Sequence, residues 1–96
     1  MSGALLTVVI YDIPDDRRRT RIHRLLKQYG TPVQESAFEA RLTARERQQL
    51  RREARELLDR HQDRFVIYPI GREQERAIDC AGLPRPEVIT PGFFLI

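Results

Sequence analysis

The residues best suited to chemistry lie close together near the start of the chain, where a single carboxylate separates an apolar run from a block of arginines. The apolar residues 8–11 are followed by Asp12, then by a turn containing Pro14, then by Arg17 to Arg19. A β-branched run that ends in Asp and Pro is typical of a buried strand that stops there. A carboxylate beside guanidinium and helix N–H groups can hold a divalent metal ion and a phosphodiester together. We therefore predict that Asp12 binds metal, with a turn-capping role as the alternative.

The residues after this turn predict a helix with an unusual charge. Asp15 is a suitable N-cap, and apolar residues recur at helical spacing at Ile22, Leu25, Leu26 and Tyr29. A helix start carries partial positive charge and disfavours cations by up to about 1 kcal/mol each, so stability alone does not explain the arginines. For Arg17, Arg24 and Lys27, which point away from the apolar face, a solvated surface is the simpler interpretation. Arg18 and Arg19 lie beside that face, and we predict that they lean toward Asp12. The predicted nucleic-acid contacts are Arg17, Arg18, Arg19, Arg21 and Arg24.

The composition indicates one small domain with a basic surface. Ninety-six residues predict a single domain over residues 1–96, and the net charge of +3 comes from sixteen arginines and one lysine against fourteen acids. Guanidinium groups suit bidentate phosphate contacts. The lone Cys80 excludes an internal disulfide, and the histidines lack zinc-ligand spacing. No run resembles a signal peptide or a membrane span, so we expect a cytoplasmic protein without membrane contact.

The middle of the chain predicts a second helix between extended segments. Residues 33–42 are extended, and the parity of Val33 against Phe38 leaves open one bulged strand or two short strands. Thr43 and Glu46 form a capping box that starts the helix. Its stripe of Arg47, Arg51 and Arg55 is either a phosphate-binding face or a solvated one.

The last third of the chain predicts a second copy as partner. The strand from Asp63 to Ile70 is apolar on both faces, so two helices on one face leave the other face uncovered. An isologous homodimer is the economical cover. In residues 71–86, Ala77 and Ile78 are expected to anchor a short helical piece. The apolar residues 87–96 predict an edge strand docked on the partner subunit. The predicted fold is a ferredoxin-like α+β sandwich, β-α-β-α-β with a C-terminal edge strand.

Three segments in register resemble the CRISPR-associated protein two family, the small subunit of the CRISPR adaptation machinery. They are residues 9–19, residues 29–39 and the stretch Val66-Ile67-Tyr68-Pro69-Ile70, and together they span roughly residues 5 to 70. The resemblance implies a ferredoxin-like homodimer in which Asp12 binds Mg²⁺, with Mn²⁺ as a substitute. It also implies nuclease roles for Tyr11, Arg19 and Phe38, although pattern alone favours core packing for Phe38.

The resemblance leaves two functional classes. The first, which we favour, is an adaptation subunit that bridges DNA with the CRISPR integrase subunit, CRISPR-associated protein one, during spacer acquisition, with metal-dependent endonuclease activity as a minor property. The second is an endonuclease whose main role is to cut single-stranded RNA or double-stranded DNA. The first class needs phosphate contacts, whereas the second also needs the Asp12 carboxylate.

Overall fold

The computed structural model describes residues 3–86 and residue 88. Within them the chain forms four strands and three helices, in this order: β1 (Leu5–Asp12), α1 (Asp16–Tyr29), β2 (Thr31–Gln34), β3 (Ala37–Leu42), α2 (Ala44–Leu57), β4 (Arg64–Ile70) and α3 (Arg72–Arg76). The predicted C-terminal strand at 87–96 lies outside the described residues, apart from residue 88. None of the helices described combines the length and apolarity that a membrane span requires.

The four strands form one antiparallel sheet in the order β2-β3-β1-β4. In each of the units β1-α1-β2 and β3-α2-β4, a helix connects two strands that run parallel to each other. Strands β1 and β3 are the two central strands of the sheet. This is the ferredoxin-like arrangement, so the α+β prediction is confirmed. It places Asp12 at the end of a central strand, between β3 and β4.

The stretch at 33–42 belongs to two strands rather than one. Strands β2 and β3 are joined at Glu35 and Ser36, and their pairing register shifts between Pro32 and Gln34. Val33 lies at this shift, which is why its parity disagrees with that of β3.

Both helices begin at the predicted caps. The Asp15 carboxylate accepts a hydrogen bond of 2.9 Å from the Arg18 backbone N–H. At α2, the Glu46 N–H donates to the Thr43 hydroxyl oxygen at 3.2 Å, and the Thr43 N–H donates to the Glu46 carboxylate at 2.7 Å. This capping box satisfies two N–H groups that the helix itself cannot bond.

Gly30, which follows the last residue of α1, is required for a steric reason. Glycine after a helix is usually favoured because it can adopt a left-handed conformation, but that does not apply here. Its φ is −163°, which any residue can adopt. A Cβ at this position would lie 2.3 Å from the Glu39 carbonyl oxygen and 2.6 Å from the Ala40 Cβ. The glycine is therefore required because the end of α1 packs directly against the backbone of β3.

The core lies between one face of the sheet and helices α1 and α2. All four apolar α1 positions predicted from spacing are buried, as are Leu50 and Ala54 of α2. From the sheet, Val9, Tyr11 and Phe38 fill the centre of this layer, and Phe65 and Ile67 of β4 pack against it. Burial of this apolar surface is the main driving force for folding.

Within residues 3–86, the other face of the sheet is covered only at one end. Leu6, near the start of β1, is fully buried, whereas Ile10 and Tyr68 are 46% and 47% exposed. Helix α3 contacts β1, and its Glu75 accepts two hydrogen bonds of 2.9 and 2.8 Å from the Arg41 guanidinium of β3. The face near Asp12 is therefore open, and it carries exposed apolar side chains.

The prediction that Ala77 and Ile78 anchor the segment after β4 was wrong. Helix α3 ends at Arg76, before Ala77, and Ile78 is 40% exposed. Ion pairs hold the segment instead: Glu75 with Arg41, and Arg85 with Glu39. The prediction relied on an apolar pair in the segment. The residues that actually hold the segment, Glu39 and Arg41, lie on β3 and are distant in sequence.

Candidate nucleic-acid interface and metal centre

Asp12 is an exposed carboxylate at the end of β1, on the open face of the sheet. Successive side chains of a strand alternate between faces, and the preceding Tyr11 points into the helix-covered core. Asp12 therefore points away from both helices. In residues 3–86 its carboxylate has no hydrogen bond or ion pair, and Asp15, not Asp12, caps α1. The turn-capping alternative thus loses its structural support.

Arg64 is the basic residue that the structure places beside Asp12. It is the antiparallel partner of Asp12 in the register of β1 and β4, and it too is exposed. Directly opposed residues have their Cβ atoms about 5 Å apart and on the same face. Sequence reasoning missed Arg64 because the register of two strands separated by fifty residues cannot be read from their composition.

Arg18 does not lean toward Asp12. Its Nε and Nη2 donate hydrogen bonds to the Asp63 carboxylate at 2.7 and 3.1 Å, and Nη2 also donates to the Gln62 side-chain oxygen at 3.2 Å. The Asp63 side chain is completely buried. The hydrogen bonds from Arg18 hold the pKa of Asp63 below its ordinary value, and the Asp63 carboxylate raises the pKa of Arg18. Arg18 thus ties the start of α1 to the loop before β4.

Arg19 is turned toward its own helix start. Its Nη1 donates to the Ile13 carbonyl oxygen at 2.9 Å, and its Nη2 pairs with the Asp16 carboxylate. The Arg19 side chain is about half exposed. These two contacts use two of the five guanidinium N–H groups, so the others can donate to an anion. Among the arginines predicted to act near Asp12, Arg19 is held by the turn that follows Asp12 and not by the Asp12 side chain.

Tyr11 and Phe38 lie in the core rather than beside Asp12. The Tyr11 hydroxyl donates to the Glu35 carbonyl oxygen at 3.0 Å, and burial raises the pKa of this phenol, opposed in part by Arg19. Phe38 is 1% exposed, with its ring centroid 6.2 Å from that of Tyr11. Core packing, which the pattern favoured for Phe38, is confirmed. Any effect of these residues on a reaction at Asp12 would therefore act through the conformation of β1.

Arg17, Arg21 and Arg24 form an exposed stripe along α1. Their spacing of four and three residues places them on one helix face, away from the buried side. With Asp16 and Thr20 they line a shallow surface depression of about 260 Å³. We call these three residues the α1 arginine stripe.

A second depression lies on the other flank of Thr20, between α1 and the β2–β3 turn. Its volume is about 500 Å³, and it is lined by Tyr11, Arg19, Thr20, His23, Glu35 and Ser36. We call it the α1–turn cleft. No sequence pattern marks this cleft because its walls come from three elements whose packing is set by the core.

The arginine stripe predicted on α2 is only partly free. The Arg47 guanidinium donates to the Leu42 carbonyl oxygen at 2.8 Å, whereas Arg51 and Arg55 are exposed. The contact made by Arg47 satisfies a backbone group at the end of β3, which gives that residue a structural role.

Comparison with known proteins identifies the family. A sequence model of the family described as CRISPR associated protein Cas2 matches residues 5–78 of the chain. The chain belongs to the Cas2 family. Within it, the chain is similar to a CRISPR-associated endonuclease Cas2 of Thermus thermophilus, with 51% identity over 73 residues, which cover 76% of this chain and 81% of the relative. It is also similar to a CRISPR-associated endoribonuclease Cas2 of Synechocystis, with 35% identity over 91 residues, covering 95% and 98%.

Two solved structures share the fold. The crystal structure of a hypothetical protein from Thermus thermophilus superposes with a TM-score of 0.76 at 44% identity, covering 91% of this chain and all of the other. Streptococcus pyogenes Cas2 superposes with a TM-score of 0.70, covering 81% of this chain and all of the other. Its 24% identity supports the fold alone. The family resemblance noted in the three sequence segments is therefore confirmed.

Proposed function

We propose that this chain is a homodimeric CRISPR adaptation subunit that binds DNA through its arginines and bridges it to the integrase subunit during spacer acquisition. One observation carries the proposal: the α1 arginine stripe and the Asp12 carboxylate lie on opposite sides of the sheet. The stripe can engage phosphates without any contribution from the acid. DNA bridging requires the arginine stripe and not the acid, whereas metal-dependent hydrolysis requires the Asp12 carboxylate.

The stripe is suited to the phosphate backbone. Arg21 and Arg24 form no ion pair with any carboxylate of residues 3–86, so their guanidinium groups need not leave a protein partner to bind DNA. An α-helix rises about 1.5 Å per residue, so the stripe is about 10 Å long and reaches successive phosphates. Contacts of this kind fix position on the duplex and carry no sequence preference.

The open sheet face supports the homodimer. Ile10 and Tyr68 are adjacent on this face and half exposed, with Val66 opposite Ile10 in the register. Apolar residues gathered on one face of a central strand mark an interface. A two-fold axis across this face would give the dimer two arginine stripes on its outer sides, an arrangement that can hold one duplex at two points.

The proposal is tested by assembly with the integrase subunit. Purified chain, integrase subunit and a short duplex should elute together in size-exclusion chromatography, and the Arg17→Gln, Arg21→Gln, Arg24→Gln variant should lose the DNA while keeping the protein dimer. Elution of the DNA with the variant at the wild-type level would contradict the role of the stripe. Absence of any complex with the wild-type chain would contradict the bridging function.

Metal-dependent phosphodiester hydrolysis is the second candidate, favoured by the names endonuclease and endoribonuclease that the relatives carry. Among the residues described, no cluster of three or more acidic, histidine or cysteine side chains could hold a metal ion. Asp12 alone would therefore supply only half of the protein ligands of a metal site. The Asp12 of a second copy would complete the site across the open face. Mg²⁺ commonly takes one or two carboxylates plus water and substrate phosphate, and Mn²⁺ accepts the same ligands. Such an ion activates water and neutralises phosphate charge.

The protein's own residues define what this second activity would need. Asp12 would supply the carboxylate, and Arg64 on the neighbouring strand would supply positive charge for the phosphate. Hydrolysis of single-stranded RNA and of duplex DNA should be assayed with Mg²⁺ and with EDTA. Activity that survives either EDTA or Asp12→Asn would contradict the Asp12 assignment.

A further inference from the structure

The α1–turn cleft has the composition of a binding site for one nucleotide unit. We propose that it accepts a single unpaired base of DNA or RNA while the neighbouring phosphates lie on the α1 arginine stripe. This inference rests on the proposed nucleic-acid function and adds to it the class of ligand: a strand with at least one unpaired residue. Its volume of about 500 Å³ falls within the range usual for small-ligand sites.

His23 provides a fixed flat surface at the wall of the cleft. Its ring packs edge-on against the buried Phe38 ring, with centroids 5.2 Å apart and planes at 70°. Because Phe38 is 1% exposed, this contact ties the imidazole to the core, while His23 itself stays partly exposed and lines the cleft. A planar side chain held in this way can stack on any base, since every base presents a π face.

The polar groups of the cleft match the edge of a base. Thr20 and Ser36 contribute hydroxyl groups, the half-exposed Arg19 contributes a guanidinium, and the exposed Glu35 contributes a carboxylate. The Tyr11 hydroxyl already donates its proton to the Glu35 carbonyl oxygen, so toward the cleft it can only accept. Donors and acceptors are thus both present, and they come from side chains that can rotate to suit different bases.

The cleft and the arginine stripe are continuous through Thr20, which lines both depressions. On α1, the stripe, Thr20 and His23 follow one another around the helix surface at about 60° intervals, given 100° per residue. A base held at His23 therefore has its own phosphate near Thr20 and the next phosphates near Arg21 and Arg24. A base within a duplex is stacked and paired and cannot enter the cleft, which restricts the ligand to unpaired residues.

The experiment compares strands that have the same charge but differ in their bases. Fluorescence anisotropy would measure binding of oligothymidylate and oligouridylate of about ten residues, and of an abasic backbone of equal length. The wild-type dimer should bind the two base-bearing strands at least about fivefold more tightly than the abasic one, as expected for one stacked base. His23→Ala should remove this preference, and His23→Phe should retain it because the flat ring remains. His61→Ala, at an exposed histidine in the turn before β4, is the matched control and should behave as wild type.

A second measurement covers the case in which His23→Ala fails to fold. A strand carrying thiothymidine should crosslink under ultraviolet light to α1 or to the β2–β3 turn, and His23→Phe should crosslink at the same sites. Equal affinity of the wild type for base-bearing and abasic strands would overturn the cleft proposal while leaving phosphate binding, and so the proposed function, intact. Crosslinks confined to α2 would also overturn it. Failure to bind both these strands and duplex DNA would overturn the proposed function itself.

Discussion

Replacing the α1 arginine stripe should change how DNA affinity depends on salt. The perturbation is Arg17→Gln, Arg21→Gln and Arg24→Gln together, which lowers the net charge of each chain from +3 to 0. Each phosphate neutralised contributes about 0.9 to the negative slope of log K against log salt. Three contacts per chain and six per dimer therefore contribute a slope of about −5. Between about 50 and 200 mM salt, that slope corresponds to roughly a thousandfold loss of affinity.

The assay is fluorescence anisotropy with a short duplex across this salt range. The wild-type dimer should show the steep slope and little preference among duplex sequences, and the stripe variant should lose most of the slope. The matched control is Arg45→Gln, Arg52→Gln and Arg60→Gln, which makes the same charge change at exposed positions on and after α2. If the control flattens the slope as much as the stripe variant, net charge rather than the stripe governs binding. If neither variant changes the slope, the stripe is a solvated face.

Three further predictions concern the fold and the dimer. Gly30→Ala should lower the free energy of unfolding by about 1–3 kcal/mol in urea titrations, because the added Cβ meets the β3 backbone. Gly71→Ala is the control and should cost little, because there the added Cβ meets only the flexible end of Gln74. A Gly30→Ala variant more stable than wild type would mean that only chain entropy matters at this position. Asp63→Asn should destabilise the protein at neutral pH. Because the pKa of Asp63 is lowered in the folded state, the loss of stability relative to wild type should be complete above pH of about 4 and should shrink as the pH falls further. A loss of stability that does not depend on pH would refute the ion pair with Arg18. Ile10→Glu on the open face should shift the dimer toward monomer in light scattering, and an unchanged dimer would place the interface elsewhere.

The sequence predicted the parts of the fold that depend on neighbouring residues. The apolar run into Asp12, the Asp15 cap, the capping box at Thr43 and the apolar spacing of α1 all have local physical causes, and all are present. Register and pairing over long separations have no such local cause. The burial of Asp63 against Arg18, forty-five residues apart, is the clearest case. Helical spacing separates Arg17 from Arg18 and Arg19, but only the packing of α1 against the loop before β4 shows that Arg18 pairs with Asp63 and not with Asp12.

The candidate site was predicted in its residue types more than in its arrangement. Asp12 lies at the strand end as expected, but strand alternation sends it to the face opposite α1, and the arginines divide into a stripe, a buried ion pair and a turn contact. Arg64 and the α1–turn cleft depend on the strand register and on helix packing, which composition does not encode. The predicted tail strand at 87–96 and the homodimer stay predictions.

The measurement that tests the central claim most directly is spacer acquisition in cells whose only copy of this protein carries Asp12→Asn, assayed beside the purified variant for Mg²⁺-dependent hydrolysis. The substitution keeps the shape of the side chain but removes the charge that binds metal, and it leaves the α1 arginine stripe untouched. We predict that acquisition continues at close to the wild-type rate while hydrolysis is lost, and that the stripe variant shows loss of acquisition. Loss of both acquisition and hydrolysis in an Asp12→Asn protein that still forms dimers would contradict the bridging role and favour the enzyme.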